Sequence, residues 1–159
     1  MRILVVSDTH GDFHSLNRAL QAQPTAEMIV HCGDGAEQQQ YIKETQRDKQ
    51  VVIVRGNCDW SSDAPVFEVT EAGGKRIFVT HGHLYNAKFT LQQLVYAARE
   101  QQADILLFGH THQAMTDYID GLYMMNPGSC HGYYATYGII DITDKGDVVT
   151  NIVRLDGRS

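Results

Sequence analysis

The sequence has few of the residues that mark secreted, membrane-spanning or multi-domain proteins. Three cysteines among 159 residues are too few, and odd in number, for a disulfide framework. Only three prolines occur and no Pro/Gly/Ser-rich linker is present, so we expect one domain over residues 1–159. No apolar run approaches the roughly 18 residues of a membrane-spanning helix, and residues 1–7 lack the longer apolar run of a secretory signal. These features predict a reduced, cytoplasmic protein that makes no membrane contact.

A surplus of basic residues is also lacking. The chain carries 19 acidic and 13 basic residues, a formal net charge of −6. This balance argues against stable nucleic-acid binding, which depends on neutralising phosphates with Lys and Arg. It still permits a small phosphate-bearing substrate, because bound cations can reverse the sign of the local field.

Short apolar runs that stop at polar, glycine-containing segments recur along the first two thirds of the chain. Such runs predict buried strands, here at residues 3–6, 28–30, 51–54, 77–79 and 105–108. Apolar residues at three- and four-residue spacing predict helices near residues 13–20 and 88–101. Hairpins are expected later in the chain, at 115–119 with 122–125 through Asp120-Gly121, and at 138–142 with 148–153. The pattern predicts an α/β domain with two sheets packed face to face and helices outside.

Side chains that suit metal binding follow five of the predicted strands. Ligand sites of α/β sheets gather at the carboxyl ends of strands, so we expect these side chains to converge. Asp-x-His and His-x-His pairs would point to one face if their backbone is extended. The seven candidate metal ligands are Asp8, His10, Asp34, Asn57, His81, His110 and His112.

This ligand set favours two metal ions over one. Four imidazoles, two carboxylates and one amide are too many for a single ion, but two ions that share a carboxylate can use all seven. Mixed nitrogen and oxygen ligation suits Mn, Fe, Zn, Ni or Co better than Ca or Mg. Two divalent cations would make the centre positive and would attract a phosphate oxyanion.

The ordered motifs Asp8-Thr9-His10, Gly33-Asp34, Gly56-Asn57-Cys58-Asp59, Thr80-His81-Gly82 and Gly109-His110-Thr111-His112 resemble those of the calcineurin-like metallophosphoesterase superfamily. Gly-Asn-Cys-Asp, His81-Gly82-His83-Leu84-Tyr85 and Asn126-Pro127-Gly128-Ser129 resemble its small YfcE-type phosphodiesterase branch. The resemblance covers residues 3 to about 131. It implies a four-layer α-β-β-α sandwich with two mixed β-sheets.

The resemblance also implies roles for the ligands. Asp8, His10, Asp34 and His112 would hold a first metal; Asp34 would bridge; Asn57, His81 and His110 would complete the second, with Mn²⁺ the favoured ion. A metal-bridging hydroxide would then attack a phosphate ester, most plausibly a diester, and the Asn57 amide would help to stabilise the phosphoryl oxygens.

Cys58 stands where many members of the superfamily have a histidine that protonates the leaving oxygen. A thiol, with an unperturbed pKa of about 8.5, is a different acid from imidazole, so the general acid stays open between Cys58, His83 and neither. His131 and the tyrosines 133, 134 and 137 are further candidates for substrate contact, with core or subunit-interface roles as alternatives. His14, His31, Cys32 and Cys130 are expected to be structural.

Three other functions remain open at this point. A phosphomonoesterase or a nucleoside polyphosphate hydrolase would use the same ligands, and the pocket walls would decide between them. A non-enzymatic scaffold, similar to the small retromer subunit, would share the fold. A purely structural metal is disfavoured, because structural sites are usually closed and mononuclear. Family members often form dimers, so a homo-oligomer is also a prediction.

Overall fold

The computed structural model describes residues 1–156; residues 157–159 lie outside the described part. Ten strands and three α-helices are present in that part, together with two single 3₁₀ turns, Ala36–Gln38 and His83–Tyr85. In chain order the elements are β1 Arg2–Val6, α1 Phe13–Ala22, β2 Met28–His31, α2 Gln39–Thr45, β3 Gln50–Ile53, β4 Phe67–Ala72, β5 Lys75–Thr80, α3 Gln92–Glu100, β6 Ile105–Leu107, β7 Met115–Ile119, β8 Leu122–Asn126, β9 Thr136–Ile142 and β10 Val148–Arg154.

The strands form two mixed five-stranded sheets. The first has the order β10-β9-β1-β2-β3, in which β1, β2 and β3 are parallel and β9 and β10 are antiparallel to their neighbours. The second has the order β4-β5-β6-β8-β7, with β5, β6 and β8 parallel and antiparallel strands at both edges. The parallel strands at the middle of each sheet bring their carboxyl ends to one edge.

Alternation along β1 explains why both faces of the first sheet are covered. Ile3 and Val5 point into a cluster shared with the second sheet, whereas Leu4 and Val6 pack against the helix α1. Because side chains alternate across a strand, a run that is apolar throughout is buried on both faces.

The second sheet repeats this arrangement. Ile77 and Ile105 belong to the central cluster, whereas Phe78 and Leu106 pack with α3. The layers are therefore helix, sheet, sheet, helix, which confirms the predicted four-layer sandwich with two mixed sheets. In the described residues no helix is long and apolar enough to cross a membrane.

Two elements escape the sequence prediction, and one helix begins later than predicted. α2 buries only Ile42 among mostly polar residues, and β4 is an edge strand with a half-exposed face, so neither shows a strong apolar pattern. The helix predicted over residues 88–101 begins at Gln92, whose backbone N–H donates to Thr90 Oγ1 at 3.2 Å. Residues before it form turns, in which Asn86 adopts a left-handed conformation at φ 54°.

Candidate metal centre

Asp8 lies at the middle of a histidine cluster. Its Oδ1 lies 3.2 Å from His112 Nε2, 3.7 Å from His81 Nε2 and 3.8 Å from His10 Nε2. The side chains of Asp8 and His81 are fully buried, whereas His112 is half exposed. One carboxylate oxygen is therefore surrounded by three imidazole nitrogens from both sheets.

Asp34 provides a second carboxylate to the same cluster. Its Oδ2 lies 3.2 Å from His81 Nε2 and 3.9 Å from His10 Nε2. The two carboxylates share these two histidines, so Asp8, Asp34 and His81 have ligand atoms within 4.8 Å of one another, as do Asp8, His10 and His112. Two overlapping groups of three ligands are thus present.

His110 and Asn57 occupy the margins of this cluster. The His110 ring lies 5.0 Å from the His81 ring, centroid to centroid, and its backbone N–H donates to Asp8 Oδ2 at 3.0 Å. Asn57 is exposed, and its amide nitrogen lies 3.6 Å from Cys58 Sγ. The structure therefore brings five of the seven candidate ligands into direct proximity, with the His110 ring edge-on to that of His81 and Asn57 exposed at the margin.

The backbone of the Asp-x-His and His-x-His pairs is not extended. The prediction that an extended backbone points each pair to one face is therefore wrong. Asp8, His10, Asp34, His110 and His112 all have left-handed φ values, between 44° and 70°. They make up five of the eight non-glycine residues with positive φ among those described. Such conformations are costly and cluster at functional sites. As a result, the side chains of His110 and His112 lie beside different residues of the cluster: His110 beside His81, and His112 beside Asp8.

The glycines of the motifs make room for side chains of other motifs. A Cβ on Gly33 would lie 2.7 Å from His81 Nδ1, one on Gly56 would lie 2.1 Å from Asp34 Oδ1, and one on Gly109 would lie 2.6 Å from Asp8 Oδ2. Each Gly-ligand dipeptide therefore supplies one candidate ligand and the space for another.

Hydrogen bonds fix the two carboxylates and the buried imidazole. Asp8 Oδ2 accepts from Ser7 Oγ at 2.6 Å, and Asp34 Oδ1 accepts from the Cys58 backbone N–H at 2.8 Å. The Cys32 carbonyl lies 2.8 Å from His81 Nδ1. Because a carbonyl can only accept, Nδ1 carries the proton and Nε2 presents its lone pair to the carboxylates when the ring is neutral.

The structure also assigns a role to Asp59, which sequence reasoning quoted within a motif but left without one. Asp59 is buried, and its Oδ2 accepts from the backbone N–H groups of Asp34 and Gly56, each at 2.7 Å. It ties the segment after β2 to the segment after β3. Its place two residues after the candidate ligand Asn57 is the signal that could have found it.

His31 is structural, as predicted. Its Nδ1 accepts from the Gly33 N–H at 3.0 Å, so Nε2 carries the proton and donates to Thr9 Oγ1 at 3.0 Å. Burial lowers the pKa of His31 to about 4, which keeps the ring neutral. Cys32 and Cys130 are buried as predicted.

Two atoms at the centre of the cluster test whether it fits a metal ion. Asp8 Oδ1 and His81 Nε2 are both buried and have no hydrogen-bond partner within the described part of the chain. Buried polar atoms are almost always paired, since an unpaired one costs free energy. A cation ligated by both lone pairs would remove that cost, so the residues present fit a metal site.

The charge distribution points the same way. Burial lowers the pKa of His81, but the nearby Asp34 and Asp8 carboxylates outweigh this and raise it. Burial, aided by the positive charge of His81, lowers the pKa of His110 to about 4 and leaves that ring neutral. The cluster therefore favours positive charge at His81, between the two carboxylates, whereas His110 beside it is neutral.

Comparison with known proteins supports this interpretation. The model of the calcineurin-like phosphoesterase superfamily domain matches residues 1–145. The chain belongs to this superfamily. It is 36% identical over 132 residues to the probable metallophosphoesterase YsnB of Bacillus subtilis, covering 81% of this chain and 75% of that one. A solved archaeal phosphodiesterase is 26% identical, with a TM-score of 0.75, and covers 96% of this chain and 100% of that one.

A third relative is named for protein sorting and not for an enzymatic activity. Vacuolar protein sorting-associated protein 29 of Schizosaccharomyces pombe is 31% identical over 167 residues, covering 98% of this chain and 84% of that one. The relatives named as metallophosphoesterases and phosphodiesterases identify the chain as a metal-dependent hydrolase acting on phosphate esters.

Residues predicted to assist this phosphoesterase lie at the rim of the cluster. Cys58 is exposed, and its sulfur lies within 4.8 Å of ligand atoms of His10 and Asp34. Burial and the charge of Asp34 raise the pKa of Cys58, so the group stays a thiol at neutral pH. His83 is half-buried, with its ring 5.5 Å from that of His81 and its Nδ1 unpaired among the described residues.

The remaining histidines and tyrosines lie either near the cluster, on the surface or in the core. The His131 ring lies 6.2 Å from that of His10, so it approaches the cluster, whereas His14 is exposed on α1. Tyr133 and Tyr134 are exposed and pack edge to face with each other. Tyr137 is a core residue, because it is buried and its hydroxyl accepts from Gln23 Nε2 at 3.0 Å. Of the alternatives for Tyr137, the structure therefore supports the core role and not a contact with substrate.

Proposed function

We propose that this protein is a phosphodiesterase with two divalent transition-metal ions, Mn²⁺ by preference, and a small-molecule phosphodiester as its substrate. The observation that carries the proposal is the pair of buried, unpaired atoms, Asp8 Oδ1 and His81 Nε2, surrounded by further nitrogen and oxygen ligands. Mixed imidazole and carboxylate ligation suits Mn, Ni, Zn, Fe or Co.

The two overlapping groups divide the ligands between two ions. Asp8, His10 and His112 would hold one ion, and Asp34 and His81, with Asp8 shared, would hold the other. His110, beside His81, and Asn57, after a rotation of its exposed amide, would complete the second set. Asp8 and Asp34 each lie near both His10 and His81, so either carboxylate is placed to bridge. When bound, the ions would activate water as the nucleophile and withdraw charge from the phosphoryl oxygens.

The chain's own residues would hold and orient the ester. Asn57 and Cys58 lie exposed at the mouth of the cluster, where an amide N–H and a thiol S–H can donate to phosphoryl or leaving oxygens. His83, beside His81 and His110, is the other group at hand to deliver a proton to the leaving alcohol.

Two cavities lined by residues of the candidate motifs leave room for substituents on the phosphate. One, of 390 Å³, is lined by Asn57 and His83 among others; another, of 450 Å³, is lined by Lys88 and by Thr111, which lies between two candidate ligands. A diester carries two substituents on phosphorus, and we infer that it would use more of this space than a monoester would. The similarity to an archaeal phosphodiesterase supports the same choice.

The experiment is hydrolysis of bis-p-nitrophenyl phosphate and of p-nitrophenyl phosphate by metal-stripped protein, with Mn, Ni, Zn or Mg added back. We expect metal-dependent turnover that favours the diester and is lost in His81→Ala. The matched control His14→Ala, which removes an exposed helix histidine, should retain it. A monoester preference would reassign the protein as a phosphatase.

A scaffold is the second candidate, favoured by the relationship to vacuolar protein sorting-associated protein 29. The enzyme is supported instead by ligating residues at all seven candidate positions and by the two buried atoms at the centre that have no hydrogen-bond partner among the described residues. Tight binding of two metals per chain without turnover of either ester would favour the scaffold.

A further inference from the structure

Trp60 is the sole tryptophan of the chain and is 91% exposed. It follows the Gly-Asn-Cys-Asp motif directly and lies two residues beyond Cys58. Tryptophan is the largest side chain and is usually well buried, because its exposure leaves a large apolar surface in water. Its position therefore places a bare aromatic surface at the rim of the metal centre.

The segment that carries Trp60 is held on both sides. Before it, the Asp59 carboxylate accepts from the backbone of Asp34 and Gly56. After it, the Ser62 N–H donates to the Asp59 carbonyl at 3.2 Å, and the Ser62 hydroxyl donates to Gln39 Oε1 at 3.2 Å. The indole is thus presented by a backbone that is fixed to the ligand segments, which reduces the entropy lost when a ligand contacts it.

Trp60 lines two cavities that also contain residues from the rim of the ligand cluster. One holds Arg55, Asn57, His83 and Leu84 with Trp60, in 390 Å³. The other, of 570 Å³, holds Cys58, Lys43 and Ser61 with Trp60. The indole is therefore a wall common to both spaces, and each space also contains a cation and polar side chains.

A flat heteroaromatic group matches these walls. Aromatic side chains bind bases by stacking, which is worth about 1–3 kcal/mol per base, and the polar edge of the base finds donors and acceptors in the amide and hydroxyl side chains. An alkyl substituent would make no polar contacts, and a sugar-only substituent has no planar aromatic face to stack on the indole.

We propose that Trp60 is a specificity-determining residue that stacks on the base of a nucleoside substituent, so that the substrate class is nucleoside-containing phosphodiesters. This proposal rests on the phosphodiesterase function proposed above. Arg55 and Asn57 border the same space, where they contact the sugar or the non-bridging phosphate oxygens.

The kinetic test uses two esters with the same leaving group, thymidine 5′-(p-nitrophenyl phosphate) and methyl p-nitrophenyl phosphate. Trp60→Ala should lower kcat/KM for the thymidine ester about tenfold, mainly by raising KM, and should change that for the methyl ester less than twofold. Trp60→Phe should restore most of the loss. Tyr96→Ala, which removes an exposed aromatic on α3, should change neither.

A binding measurement separates this proposal from the proposed reaction. Because Trp60 is the sole tryptophan, fluorescence excited selectively in tryptophan, at wavelengths where the eight tyrosines do not absorb, reports on it alone. Thymidine 5′-phosphate should quench it saturably, and 2-deoxyribose 5-phosphate should not. Equal loss for both esters in Trp60→Ala, or quenching no different from that of free N-acetyltryptophanamide, would overturn the role of Trp60. Absence of turnover with saturable quenching would overturn the reaction and leave the nucleoside site standing.

Discussion

At the scale of single residues, the space around Gly109 couples the second sheet to the first. A Cβ there would lie 2.0 Å from Ser7 Oγ and 2.6 Å from Asp8 Oδ2, both after β1. The contact is too close for any side chain, so the glycine before His110 is required by Asp8 and not by its own backbone angles. A motif of glycine followed by a ligand is thus explained by packing between motifs.

Gly109→Ala should therefore displace Asp8, abolish metal-dependent turnover and lower the free energy of unfolding by about 1–3 kcal/mol. The control Gly121→Ala, in the β7–β8 turn at φ 84° with open space around it, should cost about 1 kcal/mol and leave turnover intact. Urea unfolding and the diester assay measure the two effects. Full activity in Gly109→Ala would contradict the packing argument.

Cys58 gives a second prediction at this scale. Its raised pKa makes it a weak acid, and an activated ester has a leaving group that needs no proton. Cys58→Ala should therefore keep turnover of bis-p-nitrophenyl phosphate within about threefold, with metal content unchanged by atomic absorption. Loss of turnover with full metal content would show that the thiol acts directly in the reaction, and Cys58→Ser would then test its proton.

The sequence allowed the cluster of ligands to be predicted, but not the backbone that builds it. Residue types and strand ends identified Asp8, Asp34 and His81, since those signals are local. The left-handed angles at Asp8 and His112 could not be predicted from residue type alone, because Asp and His are enriched in that conformation but adopt it at only a minority of positions. The roles of Asp59 and of Trp60 depend on contacts between loops that are distant in sequence.

At the scale of secondary-structure elements, α1 begins at a well-formed cap. Asp12 Oδ1 accepts from the Ser15 N–H at 3.0 Å, and its Oδ2 accepts from the Gly132 N–H at 2.8 Å. The cap therefore joins the start of the helix to the loop before β9. Burial raises the pKa of Asp12, but these backbone hydrogen bonds outweigh it and lower the pKa to about 2.

Asp12→Ala should lower the free energy of unfolding by about 1 kcal/mol at pH 7, the usual cost of an N-cap. Because the folded pKa is below the unfolded value, the ionised cap stabilises the protein above about pH 4, and this contribution is lost as the pH falls toward 2. The difference between wild type and Asp12→Ala should shrink over that window in denaturant titrations. Asp12→Asn, which keeps the acceptor, should show a smaller cost at pH 7.

Elements with a strong apolar pattern were predictable, and those held by tertiary contacts were not. β1 and β6 are buried on both faces, so their runs of Ile, Leu and Val identify them. β4 pairs with β5 alone at a sheet edge and carries Glu68 and Glu71, which a strand pattern does not favour. Its strand conformation depends on the register with β5.

At the scale of the whole molecule, the metal centre lies where the two sheets meet. Asp8 and Asp34 follow strands of the first sheet, whereas His81 and His112 follow strands of the second. Ions ligated from both sides would link the two layers, in addition to the central apolar cluster. Metal binding and global stability are therefore expected to be coupled.

Mn²⁺ at 100 times its dissociation constant should stabilise the folded state by about 2.7 kcal/mol. For a chain of this size that corresponds to a rise in Tm of about 5–10 °C over chelated protein, measured by calorimetry. His112→Ala should lose most of the rise, and His14→Ala should keep it. An equal rise in His112→Ala would mean that the stabilising metal binds elsewhere.

Because each motif glycine makes room for a side chain of another strand-end segment, the effects of substitutions in these segments are expected to depend on one another. A side chain added at Gly109 is harmful because Ser7 and Asp8 occupy the space, and one at Gly56 is harmful because Asp34 does. Each segment therefore restricts which residues the others can accept. The same substitution is expected to be tolerated beside one neighbouring segment and to inactivate the protein beside another. A site of this kind diverges only by paired substitutions, and its transplantation to another scaffold requires all the segments together.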